Sequence, residues 1–266
     1  MSSPFRDASV WITGGGSGLG RAMALELAHQ GANVALSGRR VDRLEQVAAE
    51  VRELGRTALV VPCDCTDEAQ VHAAAEAAAE GLGRIDVAIA NAGFGVSGPV
   101  ESLSADDWRR QLDINVVGCA ITARHAIPHL VATRGRLALV GSVSGLVYLP
   151  GNAAYQASKA AVLALGRTLA MELAPRGVSC TVLQPGFVKS EIGQVDNQGR
   201  RDPSRRDRRP EALMWESDAA ARKMVRAIAR RRVEYTFTGH GVIAAFLGRH
   251  TPWLVQWLGP TIAGRA

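Results

Sequence analysis

A tyrosine and a lysine stand four residues apart in the segment Tyr155-Gln-Ala-Ser-Lys159, and Ser142 precedes the tyrosine by thirteen residues. On a helix the i, i+4 spacing stacks two side chains on one face, so the Lys159 ammonium would lie beside the Tyr155 ring. A cation beside a phenol favours the phenolate, and such a tyrosine can exchange a proton with a substrate oxygen near neutral pH. Together with a glycine-rich turn near the N-terminus, these residues indicate a redox enzyme.

The glycine-rich turn runs from Thr13 to Gly20 and is followed by a helical pattern over residues 21–30. Glycines allow the backbone to turn sharply and to approach a pyrophosphate, which the free N–H groups of a helix N-terminus attract. The turn alone leaves open a βα connection that binds nothing. The residues predicted to contact a dinucleotide here are Gly14, Gly16, Ser17, Gly18, Leu19 and Gly20.

The end of the second predicted strand reads Leu36-Ser37-Gly38-Arg39-Arg40 and contains no carboxylate. An acidic residue there would bind the adenosine ribose and repel a 2′-phosphate, whereas arginine binds phosphate through paired N–H donors. We therefore expect Ser37, Arg39 and Arg40 to contact the cofactor and NADP(H) to be preferred over NAD(H). The alternative is that both arginines are solvated charges where the next helix begins.

Short apolar runs alternate with longer helical patterns along the chain, as is typical of βαβ units. Right-handed crossovers then predict an α/β fold, a single-domain Rossmann-like doubly wound parallel sheet with helices on both faces. Two helix starts are predicted from capping pairs, Asp42 with Glu45 and Ser104 with Asp107. The seven predicted strands are 9–13, 34–37, 58–61, 87–90, 137–140, 179–183 and 234–237.

The composition fits one globular domain over residues 1–266, with 47% hydrophobic and 21% charged residues. No apolar stretch reaches the roughly 18 residues that span a bilayer, and the first residues do not resemble a secretion signal, so we expect a cytoplasmic protein. The four cysteines fit neither a zinc site nor a redox Cys-x-x-Cys motif, so they are expected to be reduced packing residues, with no metal site. These are Cys63, Cys65, Cys119 and Cys180.

Much of the net charge of +6 lies in residues 198–209, which contain six arginines and two aspartates. Glycine, proline, serine and like charges favour a solvated, mobile loop. The alternative is a basic lid over a pocket for an acidic substrate, within a predicted substrate loop and helix over 193–232. Either interpretation explains the charge without a nucleic-acid partner.

In the order and spacing of its motifs, the chain resembles the short-chain dehydrogenase/reductases over residues 8 to about 192. The resemblance rests on the glycine turn, on Tyr155-x-x-x-Lys159, and on residues that follow successive strands. These are Asp64 after the third strand, Asn91-Ala92-Gly93 after the fourth, Asn115 in Asn-Val-Val-Gly, Ser142 after the fifth, and Pro185-Gly186-Phe187-Val188-Lys189-Ser190 after the sixth.

The resemblance implies a role for each matching residue. Asp64 and Cys65 would meet the adenine, and Asn91, Ala92 and Gly93 would pack along the adenosine ribose. Pro185, Gly186, Val188 and Ser190 would hold the nicotinamide carboxamide. Tyr155 and Lys159 would also contact the cofactor, the lysine through the nicotinamide ribose, and Asn115 would support a water chain that returns protons.

The resemblance further implies reduction of a carbonyl to a secondary alcohol, or the reverse. Ser142 would donate a hydrogen bond to the substrate oxygen, Tyr155 would supply its proton, and Lys159 would keep the tyrosine in a useful protonation equilibrium. The alternatives are an NADP-binding sensor without turnover and an NAD-dependent alcohol dehydrogenase. Sensors of this kind commonly lack the tyrosine or the lysine, and both are present here.

Apolar residues near these motifs favour a lipophilic ketone or secondary alcohol over a sugar as the substrate. The tail over 239–266 departs from the family pattern of a Val-Asp-Gly-Gly-like segment. We expect it to cover the subunit's own core or a neighbouring subunit in a homodimer or homotetramer. A peripheral contact with a bilayer is the alternative. The expectation of a lipophilic substrate rests on the apolar residues expected near the pocket, which are Phe94, Leu146, Val147, Leu149, Phe187, Ile192, Met214 and Trp215.

Overall fold

The computed structural model describes residues 3–205, 207 and 209–263, and it contains one seven-stranded parallel sheet in the order β3-β2-β1-β4-β5-β6-β7. The single-domain, doubly wound fold predicted from the sequence is confirmed, and each predicted strand is present to within one residue at either end. The strands are β1 (Ser9–Thr13), β2 (Asn33–Ser37), β3 (Ala58–Val60), β4 (Val87–Ala90), β5 (Arg136–Val140), β6 (Ser179–Gln184) and β7 (Glu234–Thr236).

Helices cover both faces of the sheet. They are α1 (Gly18–His29), α2 (Val41–Glu53), α3 (Glu68–Leu82), α4 (Ala105–Leu112), α5 (Gly118–Thr133), α6 (Ala153–Leu173), α7 (Ser217–Ala229), α8 (Gly239–His250) and α9 (Pro252–Ala263). Helices α1, α2 and α7 pack on one face with Val10 and Ile12 of β1, while α3, α5 and α6 pack on the other with Trp11. Because successive side chains of a strand point to opposite faces, a strand buried on both sides is apolar throughout.

One of the two predicted helix caps is confirmed. Ser104 Oγ accepts a hydrogen bond from the Asp107 amide at 3.2 Å, and Asp107 Oδ2 accepts from the Ser104 amide at 2.9 Å, forming a capping box. The prediction that Asp42 caps the next helix is wrong, because α2 begins at Val41 after Arg40 and has no side-chain cap. Asp42 lies inside the first turn, where its charge still favours the positive end of the helix dipole.

The topology determines where a ligand can bind. The first strand lies between β2 and β4, so the strand order reverses direction at β1. In open parallel sheets the crevice beyond the carboxyl ends of the strands at such a reversal is the usual binding site. The glycine turn after β1, the 91–93 segment after β4 and Ser142 after β5 all meet at this edge.

The tail forms two helices, α8 and α9. Ala245 of α8 joins Leu146, Leu163 and Val182 in a small buried cluster, so part of the tail covers the core of its own subunit. Across the described ranges, no helix has both the length and the apolar character needed to cross a bilayer.

Candidate active site

An open cleft of about 330 Å³ lies at the carboxyl edge of the sheet. It brings together residues that are far apart in the sequence. The predicted site residues that line it are Gly14, Gly16, Ser17, Gly18, Leu19, Arg39, Arg40, Asp64, Cys65, Asn91, Ala92, Gly93, Ser142, Tyr155, Lys159, Pro185, Gly186, Val188 and Ser190.

The glycine turn is held by tight backbone contacts. Gly14 has a φ of +66°, and a Cβ atom there would lie 2.9 Å from the side-chain Nδ2 atom of Asn91. That nitrogen donates hydrogen bonds of 3.0 Å to the carbonyl oxygens of Thr13 and Gly14. Gly20 does not line the cleft, and a Cβ atom on it would overlap the Gly14 carbonyl oxygen. The turn therefore forms a narrow cradle of backbone at the start of α1, which suits a pyrophosphate.

Tyr155 and Lys159 lie on α6 with the predicted spacing. The Lys159 Nζ atom is 5.7 Å from the centre of the Tyr155 ring and donates a 2.8 Å hydrogen bond to the carbonyl oxygen of Val140. Lys159 is almost fully buried, whereas Tyr155 is half-buried and borders the cleft. The lysine ammonium is therefore held beside the phenol by the end of β5.

Ser142 follows β5 and is buried at the base of the cleft. Its Oγ atom accepts a 3.1 Å hydrogen bond from the Ser144 amide, which fixes the side chain. A hydroxyl that accepts one bond still has its proton to donate. Ser142 can therefore present a donor to an oxygen bound beside Tyr155.

Asn115 lies behind the cleft and does not line it. It is in a π-helical turn, Asp113–Val117, between α4 and α5. Its Oδ1 accepts from the Phe94 amide at 3.1 Å, and its Nδ2 donates to the Phe94 carbonyl and to Ser158 Oγ, each at 3.0 Å. A Cβ atom on Gly93 would lie 2.8 Å from this Oδ1. Asn115 thus anchors the 91–94 segment against α6.

Two arginines border the other end of the cleft. Arg39 is 4.0 Å from the Asp64 carboxylate, and Arg40 donates to Ser17 Oγ at 2.9 Å and to Glu191 at 3.0 Å. The Arg40 side chain therefore extends from the end of β2 to Ser17 of the glycine turn and to Glu191. The structure does not bring Ser37 into this group, since its side chain is fully buried beneath the turn and accepts a 2.9 Å hydrogen bond from Trp11 Nε1. A side chain at the last position of β2 points to one face of the sheet, here the face of Trp11.

Residues 185–190, which we call the β6 arm, form one wall of the cleft. The Phe187 amide donates a 2.9 Å hydrogen bond to His240 Nε2, and the Phe187 carbonyl accepts from the Trp215 amide at 3.0 Å. Arg209 donates to the carbonyl oxygens of Val188 and Ser190 at 2.9 and 3.2 Å. The arm is therefore held by three later parts of the chain.

The arginine-rich segment takes part in this wall. Arg201 and Arg209 line the cleft, and Arg201 pairs with Glu191 at 3.2 Å. The Arg209 side chain hydrogen-bonds to Asp207 and holds the pKa of that carboxyl below its usual range. Arg206 and Arg208 lie outside the described residues.

The apolar residues predicted near the pocket are only partly at this cleft. Phe94 and Ile192 line it, and the other six lie outside its lining. Leu146 belongs to the small core cluster beneath α8, and Trp215 packs against the main core. The cleft also contains Glu191 and Ile114, which no motif in the sequence had indicated.

The four cysteines are free and buried, as predicted. Burial raises the pKa of Cys119 and of Cys180 to about 12. Cys63 and Cys65 also line the cleft. Within the part of the chain that the structure describes, no group of three or more His, Cys, Asp or Glu side chains is arranged to hold a metal ion.

Known proteins are similar to this chain in sequence and in fold. The sequence model of the family described as short chain dehydrogenase matches residues 8–201. The short-chain dehydrogenase/reductase eriH of Hericium erinaceus is 36% identical over 195 residues, which are 71% of this chain and 77% of the relative. A 3beta-hydroxysteroid dehydrogenase of Mediterraneibacter gnavus is 35% identical over 212 residues, 75% of this chain and 76% of the relative.

Two solved structures are similar over almost the whole chain. A short chain dehydrogenase/reductase from Burkholderia phymatum, in complex with NAD, is 29% identical with a TM-score of 0.83 and covers 94% of this chain and 95% of its own. A short chain dehydrogenase from Burkholderia cenocepacia, in complex with NADP, is 27% identical with a TM-score of 0.79 and covers 90% and 99%. The chain belongs to the short-chain dehydrogenase family and is an oxidoreductase of that type.

Proposed function

We propose that the protein is an NADP(H)-dependent oxidoreductase that interconverts a lipophilic ketone and its secondary alcohol. The observation that carries this proposal is that Ser142, Tyr155 and Lys159 border the same cleft as the glycine turn after β1. A proton donor and a dinucleotide cradle are both needed for carbonyl reduction, and here they share one crevice.

The residues of the cleft fit a nicotinamide dinucleotide. The glycine turn leaves backbone N–H groups free at the N-terminus of α1, where pyrophosphate is favoured. Asp64 and Cys65 line the same cleft and would contact the adenosine half, while Pro185, Gly186, Val188 and Ser190 of the β6 arm, which also line it, would contact the nicotinamide half. When bound, the cofactor supplies the hydride.

The protein's own residues would manage the proton and the charge on the substrate oxygen. Ser142 donates a hydrogen bond to that oxygen, and Tyr155 gives it a proton during reduction or takes one during oxidation. Lys159 provides a fixed positive charge that stabilises a negatively charged phenol oxygen. Asn115 holds the 91–94 segment, whose Gly93 lies close to the lysine.

The preference for NADP(H) is supported by Arg39 and Arg40 at the end of β2. Both line the cleft, and β2 ends without a carboxylate that would bind ribose hydroxyls. Arginine binds a phosphate through paired donors. Similar structures contain NADP in one case and NAD in another, so the two arginines are the basis of this part of the proposal.

A lipophilic substrate is supported by Phe94, Ile114 and Ile192, which contribute apolar surface to the cleft. The similarity to a protein named as a 3beta-hydroxysteroid dehydrogenase points in the same direction. Both observations favour a bulky secondary alcohol or ketone over a sugar.

The proposal is tested by following NADPH oxidation over a panel of acyclic, cyclic, steroid and 3-keto-acyl ketones. With an accepted ketone, Tyr155→Phe should lower kcat at least about 100-fold, because it removes the exchangeable proton, while NADPH binding stays intact. Tyr235→Phe, which changes a tyrosine of β7 outside the cleft, is the matched control and should keep full activity. Full activity of Tyr155→Phe would refute the mechanism. NADPH binding without turnover of any ketone would favour a cofactor sensor.

The tail has a second proposed role, as a contact surface between copies of this chain. Ile243, Phe246, Trp253 and Trp257 are 60 to 73% exposed, which is unusual for large apolar side chains. Replacing both tryptophans with serine should reduce the oligomer size measured by light scattering. An unchanged oligomer together with lost binding to phospholipid vesicles would instead assign the surface to a bilayer.

A further inference from the structure

His240 connects the tail to the wall of the cleft. It is the second residue of α8, and its Nε2 atom accepts the Phe187 amide hydrogen at a nitrogen–nitrogen distance of 2.9 Å. The two rings stack at 5.3 Å with an angle of 21° between their planes. Phe187 lies between Gly186 and Val188, both of which line the cleft. One side chain of the tail thus contacts both the backbone and the ring of a β6-arm residue.

The contact is tightly packed from both sides. A Cβ atom on Gly186 would overlap His240 Nε2 and the Thr238 hydroxyl. A Cβ atom on Gly241 would overlap the same hydroxyl and would lie 3.0 Å from Val143 Cγ2. Glycines at these two positions therefore let α8 approach the arm and the turn that follows Ser142. Interiors packed this closely transmit displacements instead of absorbing them.

The far side of the Phe187 peptide is held as well. Its carbonyl accepts the Trp215 amide hydrogen, and Val188 forms a parallel bridge with Trp215. The segment around Trp215 fixes one edge of the arm, and His240 fixes the other. Loss of His240 would leave the Phe187 amide without this acceptor, and the Phe187 peptide would then be held through its carbonyl by Trp215.

His240 can accept this hydrogen bond only when Nε2 carries no proton. Burial lowers the pKa of His240 from its ordinary value of 6.5, and no charged group among the described residues contributes to the shift. Its neighbours include Gly186, Phe187 and the Thr238 hydroxyl, all uncharged. A place in the first turn of a helix also disfavours a cation. The ring is therefore neutral, and able to accept, at pH 7.

We propose that His240 is a positioning residue for the nicotinamide end of the cofactor cleft, holding the β6 arm through the Phe187 amide and so making α8 part of the cofactor site. This role rests on the proposed function, because it concerns where that enzyme's cofactor binds. It differs from a core-packing role in predicting an effect that depends on which half of the cofactor is present.

The test compares two ligands on purified protein by titration calorimetry at pH 7.5. NADPH would contact both ends of the cleft, whereas adenosine 2′,5′-bisphosphate carries only the adenosine half. His240→Ala should raise the Kd of NADPH about tenfold, as expected for the loss of one buried hydrogen bond. The Kd of the bisphosphate should change by no more than about twofold. His240→Gln, whose amide oxygen can accept from Phe187, should restore most of the NADPH affinity. His250→Ala, at the exposed end of the same helix, is the matched control.

A pH series provides a second readout that does not need the alanine variant to fold. In the wild-type protein the ratio of NADPH to bisphosphate affinity should fall as the pH drops below 6.5 through the lowered pKa of His240, because the protonated ring cannot accept. In His240→Gln the ratio should stay flat.

The outcomes separate this role from the enzyme's function. If His240→Ala weakened both ligands equally or neither, while ketone reduction persisted in the wild type, the positioning role would be wrong and the function would stand. If the wild-type protein did not bind NADPH, both proposals would fall.

Discussion

Lys159 Nζ donates a 2.8 Å hydrogen bond to the carbonyl oxygen of Val140, the last residue of β5. Ser142 stands two residues further along the same strand end. The strand therefore sets the distance from the lysine to the serine, while the turn of α6 sets the distance from the lysine to Tyr155. Two elements joined by main-chain and side-chain contacts hold all three groups at one edge of the cleft.

Lys159→Met should abolish most activity without unfolding the protein. Methionine fills the buried space, but the fixed positive charge beside Tyr155 is lost, so we expect kcat to fall at least about 100-fold. Lys223→Met on α7 is the control, because that residue does not line the cleft. Steady-state kinetics and thermal unfolding measure the two effects. A variant with near-normal kcat would show that the ammonium is not needed.

Arg39→Ala should change cofactor choice more than overall activity. If Arg39 binds the 2′-phosphate, its removal should lower kcat/KM for NADPH about 10- to 100-fold and leave NADH within about threefold, since a charge-assisted pair is lost for one cofactor only. Arg109, exposed on α4 and paired with Asp106, provides the control Arg109→Ala. Equal losses with both cofactors would assign Arg39 to structure instead of selectivity.

Much of this fold could be predicted because its strands are buried on both faces. Continuous apolar runs such as those of β1 and β4 have few alternatives in a chain of alternating helical patterns. The capping pair at Ser104 was equally informative, because both partners bond to backbone within one turn. Asp42 was misleading, since a carboxylate in the first turn of a helix has the same sequence pattern as one at its cap.

The parts of the site that could not be predicted depend on contacts between distant segments. The sequence predicts that Ser37 contacts the cofactor. Its side chain instead points to the face of the sheet that carries Trp11, whose Nε1 donates a hydrogen bond to it. His240 bonds to a residue 53 positions earlier, and no local spacing indicates such a pair. The role of Arg209 likewise depends on the carbonyl groups of a segment about twenty residues before it.

Arg209→Ala should loosen the β6 arm and raise KM. The side chain donates hydrogen bonds to the carbonyl oxygens of Val188 and Ser190. Its loss should therefore raise KM for NADPH roughly three- to tenfold, as expected when one or two modest hydrogen bonds are removed. Arg200→Ala, at an exposed position of the same segment, is the control. An unchanged KM would show that the arginine-rich segment only borders the cleft.

The Arg209–Asp207 pair should also limit the acid tolerance of this segment. The pKa of Asp207 is lowered from 3.8, so the stabilisation is present above that value and is lost as the pH falls through the lowered one. KM for NADPH measured between pH 5 and 8 should therefore show no transition from this pair. A transition below pH 6.5 in the wild type that disappears in His240→Gln would come from the histidine, whose pKa is lowered by burial.

Gly20→Ala should destabilise the whole domain. A Cβ atom there would overlap the carbonyl oxygen of Gly14 and lie 2.6 Å from the side-chain Nδ2 atom of Asn91. The turn and the 91–93 segment must therefore both shift. Overpacking of this kind costs about 3 kcal/mol in the free energy of unfolding. Gly239→Ala is the control, because no atom lies within 4 Å of a Cβ at that position. Urea unfolding of both variants measures the difference, and equal midpoints would mean that the turn has room to adjust. Because the same backbone forms the cradle, Gly20→Ala should also weaken NADPH binding in the fraction that remains folded, which links the stability of the sheet edge directly to the cofactor site.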